Sequence, residues 1–339
     1  MSAPGPPAPP TRGAGPALGP GREFDAIRRW IGGDGDLPGE VVVGPGDDAA
    51  VLEGGWIVST DLMVEDVHFR AAWLEAEEVG YRATAAALSD LAAMAARPVG
   101  VLVSLAWPRG DEESLDRVQS GVREAARQVG AAVLGGDLSS SPGPGFLDVV
   151  ALGRSEAPVL RSGARPGDVV WVTGALGAAA GAVRAWRAGS TPSASLRSAF
   201  VRPVPRVSEA LWLARHAPLR ALVDLSDGLA GDAGHLAAGS GVAVVLDAEG
   251  IPVAEGLADL TGGRDAALEL ALHGGEDYEL CLVTGPDGVD AEAFRTACGV
   301  PLVRVGRVEE GDGVWLQTPG APPERLAAGG FDHLAGEEA

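Results

Sequence analysis

Lysine and asparagine are missing from this 339-residue chain, so all 26 basic side chains are arginine. Without lysine there can be no phosphate-loop lysine, no protein-kinase strand lysine and no Schiff base to a cofactor. The two cysteines, Cys281 and Cys298, stand apart and have no metal-ligand spacing, which excludes a disulfide framework. No run of 18 or more apolar residues occurs, so no bilayer-spanning helix is expected. Positive charge is scarce too. The 26 basic residues face 47 acidic ones, and the formal net charge of -21 argues against nucleic acid or an anionic membrane surface as partner. Arginine-only usage beside abundant alanine and glycine reads as a bias acting on every position, so no arginine is evidence of phosphate binding by itself. With no secretory signal in view, a cytoplasmic location is the expectation.

The length exceeds the roughly 100–200 residues of one domain, which points to two. Residues 1–20 hold seven Pro and four Gly and few bulky side chains, so a disordered tail is expected there. Order is expected from about residue 21, where Phe24, Ile27 and Trp30 share a helical face. Strand-like runs at Val41–Val43, Trp56–Thr60, Val99–Trp107, Ala131–Leu134 and Leu147–Leu152 alternate with helical stretches at Glu75–Ala96 and Glu112–Val129. A break rich in Pro and Gly at Arg154–Gly167 divides an N-terminal domain, 21–155, from a C-terminal one, 156–335. The second half repeats the mixture, from a strand at Asp168–Thr173 to a strand at Leu302–Val308. The expected fold is therefore a two-domain α/β (α+β) protein.

What is abundant is aspartate at the ends of apolar elements beside small residues. The segments are Gly46-Asp47-Asp48, Ser59-Thr60-Asp61, Leu88-Ser89-Asp90, Gly135-Gly136-Asp137, Asp224-Leu225-Ser226-Asp227-Gly228 and Gly274-Gly275-Glu276-Asp277. Turn formation or helix capping explains any one of them, Asp227 before the helix Leu229–Ala238 especially. The set points further, to a hard cation that takes oxygen ligands and bridges to substrate phosphates. Convergent carboxylates repel one another and would gain protons unless a cation offset the field. Gly135-Gly136 and Thr173-Gly174-Ala175-Leu176-Gly177 are candidate phosphate-facing turns. Arg161, Arg202 and Arg206 are candidates for phosphate contacts or ion pairs. His68 is a substrate contact or an ordinary histidine.

In their order these segments resemble the thiamine-monophosphate kinase family, a branch of the aminoimidazole-ribonucleotide-synthetase-like superfamily. Ser162-Gly163-Ala164-Arg165-Pro166-Gly167-Asp168, Arg202-Pro203-Val204-Pro205-Arg206 and Gly330-Phe331-Asp332-His333 continue the likeness, which spans about 21–334. The resemblance implies ATP-dependent phosphorylation of thiamine monophosphate to thiamine diphosphate, with magnesium as cofactor and ATP as co-substrate. It also implies a homodimer whose N-terminal sheets form a barrel-like core. By the same resemblance Asp47, Asp48, Thr60, Asp61, Asp90, Asp137, Asp224 and Asp227 hold metal, with Asp48, Asp227 and Arg161 closest to catalysis. Gly136, Asp137, Arg161 and Ser226 meet the nucleotide; His68, Glu276 and Phe331 meet the substrate. The chain departs from the family at Ala87, where Asn is usual, and at Asp66, where Gly is usual and a φ/ψ value accessible to Asp is required.

A phosphomonoester oxygen is largely ionised near neutral pH, since its second pKa is about 6. It needs no general base, which suits direct in-line transfer without a phosphoenzyme. Rival readings are a selenophosphate or aminoimidazole-ribonucleotide synthetase, or a non-catalytic magnesium–nucleotide binding module. The first usually needs a reactive Cys and a Lys near its N-terminus, and neither stands there.

Overall fold

The computed structural model describes residues 22–31, 37–108 and 110–327; the expected tail at 1–20 and Phe331 lie outside the described residues. The first half comprises α1 (Arg22–Ile31), β1 (Val41–Val43), β2 (Ala50–Leu52), β3 (Trp56–Val64), α2 (Ala76–Ala93), β4 (Arg97–Pro108), α3 (Glu112–Gln128), β5 (Ala132–Ser141) and β6 (Phe146–Arg154). The second half begins with β7 (Val169–Thr173), α4 (Ala178–Arg187), α5 (Ala194–Val201), α6 (Val207–His216), β8 (Leu219–Asp224), α7 (Leu229–Ser240) and β9 (Ala243–Asp247). It ends with α8 (Leu257–Thr261), α9 (Arg264–His273), β10 (Leu280–Thr284), α10 (Ala291–Cys298), β11 (Leu302–Glu309), β12 (Gly313–Gln317) and β13 (Glu324–Arg325).

The strands form two mixed sheets, in the orders β1-β2-β3-β6-β4-β5 and β13-β12-β9-β11-β7-β10-β8. Each holds one parallel pair, β4 with β5 and β9 with β12. The expected mixed α/β class is what the chain adopts; within one chain the first sheet is open. No described helix is long and apolar enough to cross a membrane.

Helix α2 joins the two halves. Glu75 and Glu78 open it with a reciprocal capping box, the Glu75 amide donating to Glu78 Oε2 at 2.9 Å. Seven of its 18 residues are alanine, a strong helix former, and it is buried on nearly every face. It ends before the expected Ala96 because Ala95 turns left-handed (φ 47) and Pro98 follows. Leu88, Leu91 and Met94 share one core with Val101 and Leu147 of the first sheet and with Leu196, Phe200 and Tyr278 of the second half. Ala92 and Ala95 share another with Leu213, Leu222 and Leu280. Small side chains let so many elements approach one helix.

Strand β5 corrects an expectation. Gly135-Gly136-Asp137 is not a turn but the middle of a strand that pairs with β4 from Ala132 to Ser141. The glycines are there because β5 crowds its neighbour: a Cβ on Gly136 would stand 1.9 Å from the Val103 carbonyl oxygen. The same strand is exposed at every residue except Ser141.

Contact between α2 and α3 is equally close, since a Cβ on Gly80 would lie 1.9 Å from the Val118 carbonyl oxygen. Gly80→Ala is expected to force the helices apart at a loss of about 1–3 kcal/mol. A lower urea midpoint at unchanged slope is the readout; an unmoved midpoint refutes the tight approach.

Candidate active site

Three elements deliver one carboxylate each to the same point. Asp48 comes from the segment between β1 and β2, Asp90 from the last turn of α2, and Asp224 from the end of β8. Each offers an oxygen, and these oxygens lie within 4.8 Å of one another. Arg161, in the stretch between the two sheets, donates from Nη2 to Asp48 Oδ1 at 2.7 Å. Its amide is held by both oxygens of Asp47, at 3.1 and 3.2 Å, and Asp47 Oδ1 also accepts from the Asp48 amide at 3.1 Å. Asp47 thus orders the backbone around Asp48 and Arg161, while Asp48 points into the cluster. Ser59 Oγ, on β3, donates to Asp90 Oδ2 and lies 3.3 Å from the Asp48 carbonyl oxygen.

Electrostatics here is dominated by burial. Desolvation, reinforced by Asp48, pushes Asp224 up to about 7, and the same pair of causes takes Asp47 to about 7 against the pull of Arg161. Burial raises Asp90 well above the carboxylate range, with Asp224, Asp61 and Asp48 adding to it. Asp61 rises to about 6, chiefly by burial, with Arg82 opposing. Burial works against the charge of Arg161, but Asp48, Asp47 and Asp224 more than offset it and hold the guanidinium above its ordinary range. Asp48 Oδ2 is buried without a hydrogen-bond partner among the described residues. An acceptor oxygen in that state, beside two more carboxylates, is the donor set a hard divalent cation fits.

Asp61, Asp90 and Asp224 border a cavity of about 680 Å³, lined also by Ser226, Asp227, His68, Glu276, Trp73, Phe200 and Tyr278. His68 Nδ1 accepts from the Val64 amide at 3.0 Å, so it is the unprotonated nitrogen of that ring. Asp66 adopts the left-handed conformation (φ 65) that its position demands. Ala87 is fully buried in α2 and packs in the core.

Other expected residues go elsewhere. Thr60 donates to Asp148 Oδ1 at 2.6 Å on the opposite face of β3 from Ser59 and Asp61. Asp137 is exposed on that outer face, in register with Ser104, Asp148 and Leu62 across the sheet. It stands three strands from β3, on the order of 14 Å away. Gly136 belongs to the same exposed strand. Arg202 pairs with Glu124 at 2.6 Å, and Arg206 with Glu279 at 2.8 Å, so both are structural ion pairs.

The start of α4, a candidate phosphate seat, is filled from within: Asp277 Oδ2 accepts from the Gly177 amide at 2.8 Å. At the start of α7, Asp232 Oδ2 accepts from the Asp227 amide at 3.1 Å. Asp227, Asp232 and His235 form a second group with ligand atoms within 4.8 Å, and burial pushes His235 down to about 3. Sequence reading gave Ser59 no role and passed over Arg82 and Asp232. Strand alternation through Ile57, Ser59, Asp61 and Met63 would have put Ser59 beside Asp61, and helical spacing would have put Arg82 and Ala86 in line with Asp90.

Family models described as AIR synthase related protein, N-terminal domain, and AIR synthase related protein, C-terminal domain, match residues 46–155 and 165–317. The thiamine-monophosphate kinase of Rhodopirellula baltica is 36% identical over 308 residues, covering 87% of this chain and 92% of its own. Among solved structures, the thiamine-monophosphate kinase of Stenotrophomonas maltophilia K279a superposes with a TM-score of 0.73 at 37% identity, covering 89% of this chain and 96% of that one. AaThiL complexed with AMPPCP and TMP gives 0.75 at 28% identity, covering 89% and 95%. By these matches across both halves, the chain belongs to the thiamine-monophosphate kinase family.

Proposed function

We propose that this chain transfers the γ-phosphoryl group of ATP to the phosphate of thiamine monophosphate, in line and without a phosphoenzyme, as a cytoplasmic enzyme completing thiamine diphosphate synthesis. The observation that carries the reading is the convergence of Asp48, Asp90 and Asp224 beside one cavity. Asp48, Asp90 and Asp224 would hold magnesium, with Asp61 and Asp227 on the cavity wall as further ligands. Bound there, magnesium supplies the positive charge that lets two phosphate groups approach each other.

The protein's own residues have narrower tasks. Arg161 orients Asp48 and keeps a permanent cation beside the cluster. Ser59 fixes Asp90, and Asp47 fixes the backbone that carries both Asp48 and Arg161. Ser226 meets the nucleotide, and His68 and Glu276 meet the acceptor. The acceptor oxygen is already ionised near neutral pH, so none of these residues has to remove a proton.

Gly136 and Asp137 take part only if the exposed face of the first sheet is covered. Leu62, Leu102 and Phe146 on that face, with Leu134 and Leu138 on the free edge strand, are apolar and exposed, which supports self-association into a homodimer there.

Purified protein given ATP, thiamine monophosphate and magnesium is expected to form ADP and thiamine diphosphate in equal amounts. ADP without thiamine diphosphate would move the chain to another synthetase of the superfamily. Asp90→Asn is expected to lower turnover at least about a hundredfold; near-normal turnover removes Asp90 from the machinery.

The raised carboxylates set a pH dependence with a definite sign. Their folded pKa values, about 6 for Asp61 and about 7 for Asp47 and Asp224, exceed the ordinary 3.8. Protonation therefore stabilises the metal-free fold, fully below the ordinary carboxylate range, and that contribution disappears as pH rises through 6 to 7. Chelator-treated protein should unfold at a higher temperature at pH 6 than at pH 8. Added magnesium should raise the midpoint more at pH 8 than at pH 6, because it competes with protons. A magnesium effect independent of pH would sink the shared-carboxylate account.

A further inference from the structure

Arg82 is the largest fully buried side chain among the described residues, and no role in the reading above uses it. It stands on α2 eight residues before Asp90, with Ala86 midway, so one stripe of the helix carries all three. Ala86 and Asp90 line the cavity. The Arg82 guanidinium lies just behind the wall. It is ion-paired with Glu276, and its Nη1 donates to the Phe200 carbonyl oxygen. It also sits 3.8 Å from the centre of the Phe200 ring and 5.8 Å from that of Tyr278. Glu276, Phe200 and Tyr278 all line the cavity.

A guanidinium taken fully out of water needs compensation, and here it comes from the Glu276 carboxylate, itself 31% exposed, with the charge of Asp61 adding to it. The pair therefore points outward, toward the cavity. The main chain of the segment does not depend on it. Glu276 and Tyr278 hold left-handed conformations (φ 66 and 50), and their amides donate to Ser226 and Leu225 carbonyls at 2.8 Å each. Those bonds fix the backbone beside Asp224 and Asp227 but leave the Glu276 side chain free to rotate. Arg82, held by two aromatic rings and a carbonyl, removes that freedom.

We propose that Arg82 is a positioning residue for the phosphoryl acceptor: it clamps the Glu276 carboxylate in one orientation on the cavity wall, where it receives a cationic or N–H-bearing heteroaromatic group. In the proposed reaction that group belongs to the body of thiamine monophosphate, so the inference rests on that reading. ATP, whose reactive end faces the aspartates, is not held by this pair. The interaction works through geometry, because a carboxylate that swings into solvent offers the acceptor a weaker and less ordered contact.

The test is steady-state kinetics in both substrates. Arg82→Met is expected to raise KM for thiamine monophosphate about tenfold or more while KM for ATP stays within about twofold. Arg82→Lys, which keeps a cation without the fork, should recover part of the loss. Glu276→Gln leaves Arg82 in its aromatic seat and so keeps the question open to measurement if Arg82→Met does not fold; it should match Arg82→Met. The double variant should be no worse than either single one, because both remove the same contact. Equal rises in both KM values, an unmoved acceptor KM in Glu276→Gln, or multiplying effects in the double variant would overturn the proposal. Wild-type protein that makes no thiamine diphosphate would instead bring down the reaction itself, and this inference with it.

Discussion

Carboxylates that share a dry cleft repel one another, and the mutual placement of Asp48, Asp90 and Asp224 beside the guanidinium of Arg161 is the constraint on which the structure turns. Each comes from a different part of the chain: a connection in the first sheet, the end of α2, and an edge strand of the second sheet. None could stay where it is if either half shifted. Arg161 sits between the halves: Asp47 holds its amide and Asp48 its guanidinium, so the charge that moderates the repulsion is tied down at both ends of the side chain. In a chain without lysine, a planar and permanently charged group has to do this.

Helix α2 makes the arrangement possible. Its alanines leave room for α3 on one side and for second-half elements on the other, so the first sheet shares one core with α2 and second-half helices while the second sheet shares another with the C-terminal end of α2. A rigid helix then fixes the distance from Arg82 to Asp90, and with it the relation between the cavity wall and the carboxylate cluster. Bulkier side chains on α2 would favour the helix as well, but they would separate the elements it joins.

Much of this was readable in the chain. The mixed α/β class, the long helices and most strands followed from periodicity, and the ordered run of aspartate segments pointed to the family. What failed was the assumption that an aspartate beside small residues marks a turn. Asp61 and Asp137 lie within strands and Asp90 within a helix. For Asp137 the misleading signal was a glycine pair that serves a close strand approach, a tertiary demand with no local signature. Thr60 and Asp61 are neighbours in sequence yet face opposite sides of one strand, so a motif read as a unit was split by the pleat. Arg82 went unnoticed because its significance depends on Glu276, almost two hundred residues away. Arg202 and Arg206 looked like phosphate ligands until their partners Glu124 and Glu279 came into view.

Asp277 and Asp232 have one more effect. Helix beginnings are the usual places where a protein cradles phosphate with bare amides. Here the start of α4, which adjoins the cavity, comes already filled by Asp277, and Asp232 takes the Asp227 amide just before α7. A nucleotide without its metal would meet acidic side chains in these places. On the proposed reading, metal supply then governs whether ATP lodges at all, and scarcity would empty the cleft rather than merely idle it.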